Sequence, residues 1–239
     1  MNGALDGRVV AIPGAAGSLG PHVARALAAE GAILAFGGRD AKSLDALATK
    51  LGLEDERLHV QGVDLLDPAA TDAWAAAVNE RFGCVDGVAH LVGGWRGGTP
   101  LAFSPPQDWA FLEALLVRTT QHVSRAFHAA LLESGRGRFV LVSAKQAVAP
   151  SDANAAYVAA KAAAEAWTWA LADGFAAAKA GATANVVAVN ALVTPEMRAA
   201  APQKAFLSFT DVADVAAAIA FICSDAAAKM NGQRLVLHG

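Results

Sequence analysis

The sequence predicts an α/β fold: a doubly wound parallel sheet in three α/β/α layers, built as a single domain over residues 1–239. Three observations predict it. Short, continuous apolar runs alternate with helix-like segments, the pattern of strands buried on both faces and joined by helices. The first apolar run ends in a glycine-rich turn that opens a helix. No Pro/Ser-rich linker, internal repeat or charge block divides the chain.

The elements follow in order. Arg8–Ile12 is the first strand, and Pro21–Glu30 is a helix closed by Gly31. Ala32–Phe36 is the second strand, followed by a helix near Ala41–Leu51. Leu58–Gln61 is the third strand. Asp67-Pro68 then opens a helix through about Phe82, with Asp67 as N-cap and Pro68 at the first helical position. Gly87–Val92 is the fourth strand, and one long helix is expected from about Pro106 to Leu132. Arg138–Ser143 is the fifth strand, and a long Ala-rich helix runs from about Ala153 to Lys179. Asn185–Val189, Asp211–Ser224 and Arg234–Leu237 complete the pattern as strand, helix and strand. The segment from Thr194 to Ser208 is expected to be a mobile lid.

Composition narrows the function. Hydrophobic residues make up 55% and charged ones 17%, far from the disordered regime. A net charge of −3 gives no electrostatic footprint for nucleic acid. No apolar run reaches the roughly 18 residues of a membrane span, so no membrane partner is expected. Met1 to Gly7 is short and polar, unlike a secretory signal. Cys84 and Cys223, far apart in apolar settings, read as buried small hydrophobes. No Cys/His cluster has metal-ligand spacing. A cytoplasmic, metal-free protein is expected.

Gly14-Ala15-Ala16-Gly17-Ser18-Leu19-Gly20 lies at the first strand-to-helix junction. Glycines there let the backbone approach a phosphate, and the helix N-terminus offers free N–H groups and a positive dipole end. The loop, including Ala16, Ser18 and Leu19, is expected to cradle a dinucleotide pyrophosphate. The second strand ends at Gly37-Gly38-Arg39-Asp40. Arg39 suits the 2′-phosphate of NADP, whereas Asp40 would suit the ribose hydroxyl of NAD; NADP is preferred and NAD remains open.

Tyr157 and Lys161 stand four residues apart at the start of the Ala-rich helix, and Tyr157 is the only tyrosine. That spacing places both on one helical face. A neighbouring ammonium favours the phenolate, so Lys161 is expected to lower the Tyr157 pKa toward neutrality, as general acid–base work needs.

With these residues in place, the sequence resembles the short-chain dehydrogenase/reductase family, of Rossmann fold, over nearly its whole length. The match runs through the glycine loop, Asp64, Tyr157-x-x-x-Lys161 and Thr194-Pro195. The resemblance implies an NAD(P)-dependent enzyme in which Tyr157 exchanges a proton with a carbonyl or alcohol oxygen. Lys161 would hold the nicotinamide ribose and Asp64 would contact the adenine. Leu65, Val92, Gly93 and Thr194 would contribute further cofactor contacts, and Trp95 and Met197 would meet the substrate. It also implies a homodimer or homotetramer paired through the two long helices, an arrangement that the Ala-rich face of Ala155–Ala180 would permit.

The chain departs from the family pattern at linked positions. Pro13 replaces a Thr, and the middle glycine falls at Gly17, leaving Ser18 in its usual place. The usual Asn-Asn-Ala-Gly reads His90-Leu91-Val92-Gly93, and an Asn in the helix before the fifth strand reads Leu116. Val189-Asn190 stands for Pro-Gly. The serine expected thirteen residues before the tyrosine is Ala144, with Ser143 one residue off. Gly93-Gly94-Trp95-x-Gly97-Gly98 and Ala144-Lys145 are similar to the dihydropteridine reductase branch, where Lys145 would act on the substrate oxygen in place of a serine. Ser143 is the other candidate. Trp95 is a platform for a ring-shaped substrate or a rim aromatic, and Arg96, Arg118 and Arg198 are open as anchors for an anionic group.

The leading expectation is an NADP(H)-dependent oxidoreductase acting on a small carbonyl/alcohol or conjugated C=N substrate. The alternative is an NADP-binding sensor without turnover. A sugar-nucleotide epimerase, which shares both motifs, would need a C-terminal substrate domain for which 239 residues leave no room.

Overall fold

The computed structural model describes residues 3–238; Met1, Asn2 and Gly239 lie outside the described residues. Seven parallel strands form the main sheet: β1 (Val9–Pro13), β2 (Ile33–Gly38), β3 (Leu58–Gly62), β4 (Gly87–His90), β5 (Arg138–Ala144), β6 (Thr183–Val189) and β9 (Arg234–Val236), in the order β3-β2-β1-β4-β5-β6-β9. Strand order reverses between β1 and β4. The connections there leave the sheet in opposite directions, which opens a crevice beyond the strand ends.

Strand alternation divides the core. Val10, Ile12, Leu34, Phe36, Val140 and Val187 pack on α1 (Gly20–Ala29), α2 (Ala41–Leu51) and α9 (Val212–Cys223). Val9, Ala11, Ala35, Phe139, Leu141 and Val186 face α3 (Pro68–Phe82), α5 (Thr119–Ala126), α6 (His128–Glu133) and α7 (Ala155–Ala178). Helix ends obey local chemistry. Asp67 accepts from Ala69 N and Ala70 N with Pro68 behind it, and Asp211 accepts from Ala213 N at the start of α9.

The region before β5 differs from the sequence expectation. The long helix expected from Pro106 to Leu132 is broken into α4 (Pro106–Leu112), a wide π turn over Glu113–Arg118, α5 and, past a second break at Phe127, α6. The Thr119 and Thr120 hydroxyls donate to the carbonyls of Leu115 and Leu116 at 2.6 and 2.7 Å, which accompanies the altered backbone pairing there. The Thr194–Ser208 segment contains a short helix, α8 (Pro195–Ala200), and its ends are tied by a two-stranded parallel ladder between β7 (Ala191–Val193) and β8 (Phe209–Asp211). The fourth strand ends at His90 rather than Val92.

Cys223 is buried as expected, whereas Cys84 is half-buried, with its thiol 3.7 Å from Asp86 Oδ2. No helix among the described residues is long and apolar enough to cross a membrane. None of their His, Cys, Asp and Glu side chains form a group of three that could hold a metal.

Candidate active site

The crevice at the β1/β4 switch point is a cleft of about 950 Å³. Its floor is the glycine loop. Gly14 has φ +83°, and a Cβ there would lie 2.8 Å from Val92 N, so the loop packs on the β4 extension only without a side chain. Gly20 meets the same limit: a Cβ would sit 1.8 Å from Ala15 O. Gly17 is different. Its Cβ would touch only Gly14 O, at 3.3 Å, so a side chain would fill cleft space rather than strike the protein.

No side chain caps α1, and its first turn holds no acidic residue. The Ser18 and Leu19 N–H groups have no partner among the described residues, and both residues line the cleft. An uncapped helix N-terminus beside an open glycine cradle fits a pyrophosphate.

At the end of β2, Arg39 and Asp40 both line the cleft, and their engagements separate them. Asp40 caps α2: one oxygen accepts from Ser43 N at 3.1 Å and the other from Ser43 Oγ at 2.6 Å. Those bonds hold its carboxyl below the usual range. Arg39 makes no ion pair or hydrogen bond among the described residues. Asp64 lines the next wall with Leu65, and one of its oxygens accepts from Leu66 N at 3.1 Å. Val92 and Gly93 line the β4 side.

Tyr157 and Lys161 sit on the cleft-facing side of α7. Tyr157 packs with Leu112, Leu115 and Leu116, so the π turn and α7 together seat its ring. Its hydroxyl has no protein partner among the described residues. Burial raises the Tyr157 pKa, opposite to the expected lowering by Lys161. Lys161 is itself 6% exposed, and its ammonium donates to Val142 O at 2.9 Å. Burial pushes its pKa down to about 8, against the opposing charge of Glu165.

Glu165, one turn further along α7, is paired with Arg234 from β9 at 2.8 Å. Arg234 also donates to Ala144 O at 2.9 Å. The pair thereby ties the helix carrying Tyr157 and Lys161 to the end of β5.

The two candidates near Ala144 separate where β5 ends. Ser143 lines the cleft, and its buried hydroxyl has no hydrogen-bond partner. Lys145 is exposed, outside the cleft, with Nζ 3.5 Å from His238 Nδ1; the expectation that it reaches the substrate oxygen is corrected. Strand alternation alone would keep residues 143 and 145 on one face, but β5 stops at Ala144 and Lys145 opens a tight turn that carries it out of the strand. Two further expectations change. Thr194 accepts from Met197 N at 3.2 Å as the cap of α8, and neither Thr194 nor Met197 lines the cleft. Trp95 does line it, 59% exposed at the mouth.

Sequence reasoning did not single out several residues of the site. Phe111, Leu115, Thr119, Gln146, Asn190 and Phe209 all line the cleft. His90 lies directly behind it, fully buried, with its pKa pushed down to about 3 by burial and by the Lys161 charge. Thr119 Oγ1 gives its own proton to Leu115 O, so at 3.4 Å from His90 Nε2 it can only accept. The histidine is therefore the neutral Nε2–H tautomer, with Nδ1 left without a partner.

Comparison with known proteins agrees with this architecture. Residues 14–239 match the family model described as enoyl-(acyl carrier protein) reductase. D-threitol dehydrogenase of Mycolicibacterium smegmatis is 30% identical, the alignment covering 98% of this chain and 93% of that protein. A gluconate 5-dehydrogenase from Burkholderia cenocepacia, solved in complex with NADP and tartrate, superposes with a TM-score of 0.85 at 25% identity, covering 98% and 95% of the two chains. A short-chain type dehydrogenase/reductase from Mycobacterium ulcerans shares the fold at a TM-score of 0.88 and 24% identity, covering 98% and 89%.

Proposed function

The chain belongs to the short-chain dehydrogenase/reductase family and is an NAD(P)-dependent oxidoreductase; within that family we propose an NADP(H)-dependent enzyme acting on a small carbonyl/alcohol or conjugated C=N substrate. The observation that carries the reading is Tyr157, whose unpartnered hydroxyl lines the same cleft as the open glycine loop. The nicotinamide, when bound, supplies or accepts the hydride.

In the reductive direction the substrate's carbonyl carbon gains that hydride and its oxygen gains the Tyr157 proton, so C=O becomes CH–OH. Burial keeps Tyr157 protonated at neutral pH, the state a donor needs. Ser143, whose buried hydroxyl lacks a protein partner, supports a second hydrogen bond to the reacting oxygen. Lys161 stabilises the phenolate once the proton has left and would hold the nicotinamide ribose. The uncapped turn at Ser18 and Leu19 would hold the pyrophosphate, with Asp64, Leu65, Val92 and Gly93 along the adenine and nicotinamide sides.

The NADP preference is supported by the division of labour at the end of β2. Asp40 is occupied by Ser43, whereas Arg39 is free to meet a 2′-phosphate. The proposal extends to a cytoplasmic homo-oligomer. Support for self-association comes from exposed Ala159, Ala166, Trp169 and Ala170 on α7, small enough for close helix approach apart from one aromatic anchor.

The test is oxidation of NADPH, followed at about 340 nm, over ketones, quinones and quinonoid dihydropterin. Tyr157→Phe is expected to lower kcat/KM by about a hundredfold or more while NADPH still binds. Undiminished turnover in that variant sinks the mechanism, and tight NADPH binding without turnover on any compound selects the sensor instead.

A further inference from the structure

Among the described residues, the substrate end of the cleft carries no charged side chain but the buried Lys161 ammonium. Among the described residues, the charged ones that line the cleft are Arg39, Asp40, Asp64 and Lys161, and the first three stand at the β2 and β3 ends. Lys161 is buried, donates to Val142 O and, on the oxidoreductase reading, serves the cofactor ribose and the Tyr157 phenolate.

The arginines that stood open as anionic anchors are neutralised elsewhere. Arg96 stacks over the Phe111 ring, 3.8 Å from its centroid, and pairs with Asp108 at 3.3 Å. Arg118 pairs with Glu113 at 2.9 Å, and Arg198 with Asp211 at 3.5 Å. None of the three lines the cleft. A carboxylate or phosphate entering this end would lose its hydration and find no counter-charge beyond the buried Lys161 ammonium.

A chain of amides stands there instead. Gln146 Nε2 donates to Asn190 Oδ1 at 2.9 Å, and Asn190 Nδ2 donates to Ser208 O at 2.9 Å. A carbonyl can only accept, so Ser208 O fixes the orientation of Asn190, and Asn190 in turn fixes that of Gln146. Gln146 lines the cleft, and its Oε1, with no protein partner among the described residues, is left as a pre-oriented acceptor. It can be matched only by a group that donates. Trp95, Phe111, Leu192 and Phe209 supply the apolar surface around it.

We infer, on the oxidoreductase reading above, that the substrate is an electrically neutral carbonyl or alcohol compound. It carries an O–H or N–H that donates to Gln146 Oε1, and it lays a flat or apolar body against Trp95. Gln146 is a specificity-determining residue, and the site rejects carboxylates and phosphates.

Three aryl ketones test this: 2-hydroxyacetophenone, acetophenone and benzoylformate, which place a hydroxyl, a hydrogen-bonding blank and a carboxylate at one position. Each is titrated calorimetrically into Tyr157→Phe in saturating NADPH, so that binding is read without turnover, and each is assayed for turnover with the wild type. The hydroxyketone is expected to bind about tenfold tighter than acetophenone, the worth of one hydrogen bond, and benzoylformate at least tenfold weaker than acetophenone. Gln146→Leu on the same background brings the hydroxyketone to within about twofold of acetophenone.

Benzoylformate binding as tightly as the hydroxyketone, no binding by any of the three, or a ratio unmoved by Gln146→Leu overturns the inference. The expected order of binding with no turnover in the wild type overturns the reductase reading and leaves the neutral ligand class supported.

Discussion

Lys161 is held by the fold at a cost to stability, and replacing it exposes that cost. Burial lowers its pKa from 10.5 to about 8. At 1.36 kcal/mol per pKa unit, the folded protein is less stable by about 3 kcal/mol wherever the lysine is charged in both states. The sign follows from the direction of the shift. Below the folded value of about 8 the penalty is complete; it fades as pH rises and is gone above the unfolded value near 10.5.

Lys161→Met removes the charge and keeps much of the volume, but it strips Val142 O of a hydrogen bond worth about 1 kcal/mol. The cofactor-free variant is therefore expected to be more stable than the wild type by about 2 kcal/mol at pH 7, and by less than about 1 kcal/mol at pH 9.5. Urea unfolding at both pH values reads the difference, and NADPH oxidation by the same samples is expected to fall by about a hundredfold or more. A variant less stable than the wild type at pH 7, or a gap that does not shrink between pH 7 and 9.5, refutes the reasoning.

Glu165→Gln removes the charge that raises the Lys161 pKa, so the alkaline limb of the kcat/KM profile moves to lower pH; an unmoved limb restricts Glu165 to a structural role. The variant also leaves the Arg234 guanidinium without its counter-charge, and a loss of about 3 kcal/mol in denaturant unfolding is expected alongside. Arg39→Ala is expected to weaken NADPH binding by about ten- to a hundredfold, the worth of a charged hydrogen bond, and to leave NADH unchanged in a fluorescence titration. Equal losses for both cofactors would remove the assignment of Arg39 to the 2′-phosphate. Light scattering at micromolar concentration is expected to give a dimer or tetramer, with Ala170→Glu shifting it toward monomer; a monomeric wild type ends the proposal of self-association.

Much of this protein was legible where the determining physics is local. The Asp67-Pro68 cap, the Gly14-x-x-Gly17-x-x-Gly20 turn and the apolar runs each act within a few residues, and the elements appear where those signals place them. The Tyr157–Lys161 spacing likewise put both side chains into the cleft before any contact was known. The capping of α2 by Asp40 was equally local, an Asp three residues before Ser43, and would have freed Arg39 for the cofactor at once.

Tertiary packing decided the rest. Ser143 and Lys145 lie two residues apart around a strand end, and only the seating of β5 against β6 and the turn that follows settles which of them meets the cleft. The sequence led us to expect Lys161 to lower the Tyr157 pKa, because two residues on one helix face look like a charge pair. The fold reverses the direction by burying both groups and giving the ammonium to Val142 O. Gln146, Asn190 and Ser208 are separated by tens of residues and carry no common motif, yet one chain of hydrogen bonds orients them. The sequence by itself determined the frame, the open glycine loop and the placing of Tyr157 and Lys161 on one helix face, because helix caps, turns and periodicity act at short range. Which charges are free, which are cancelled and which polar atoms face the substrate was decided only when distant segments met at the ends of the sheet.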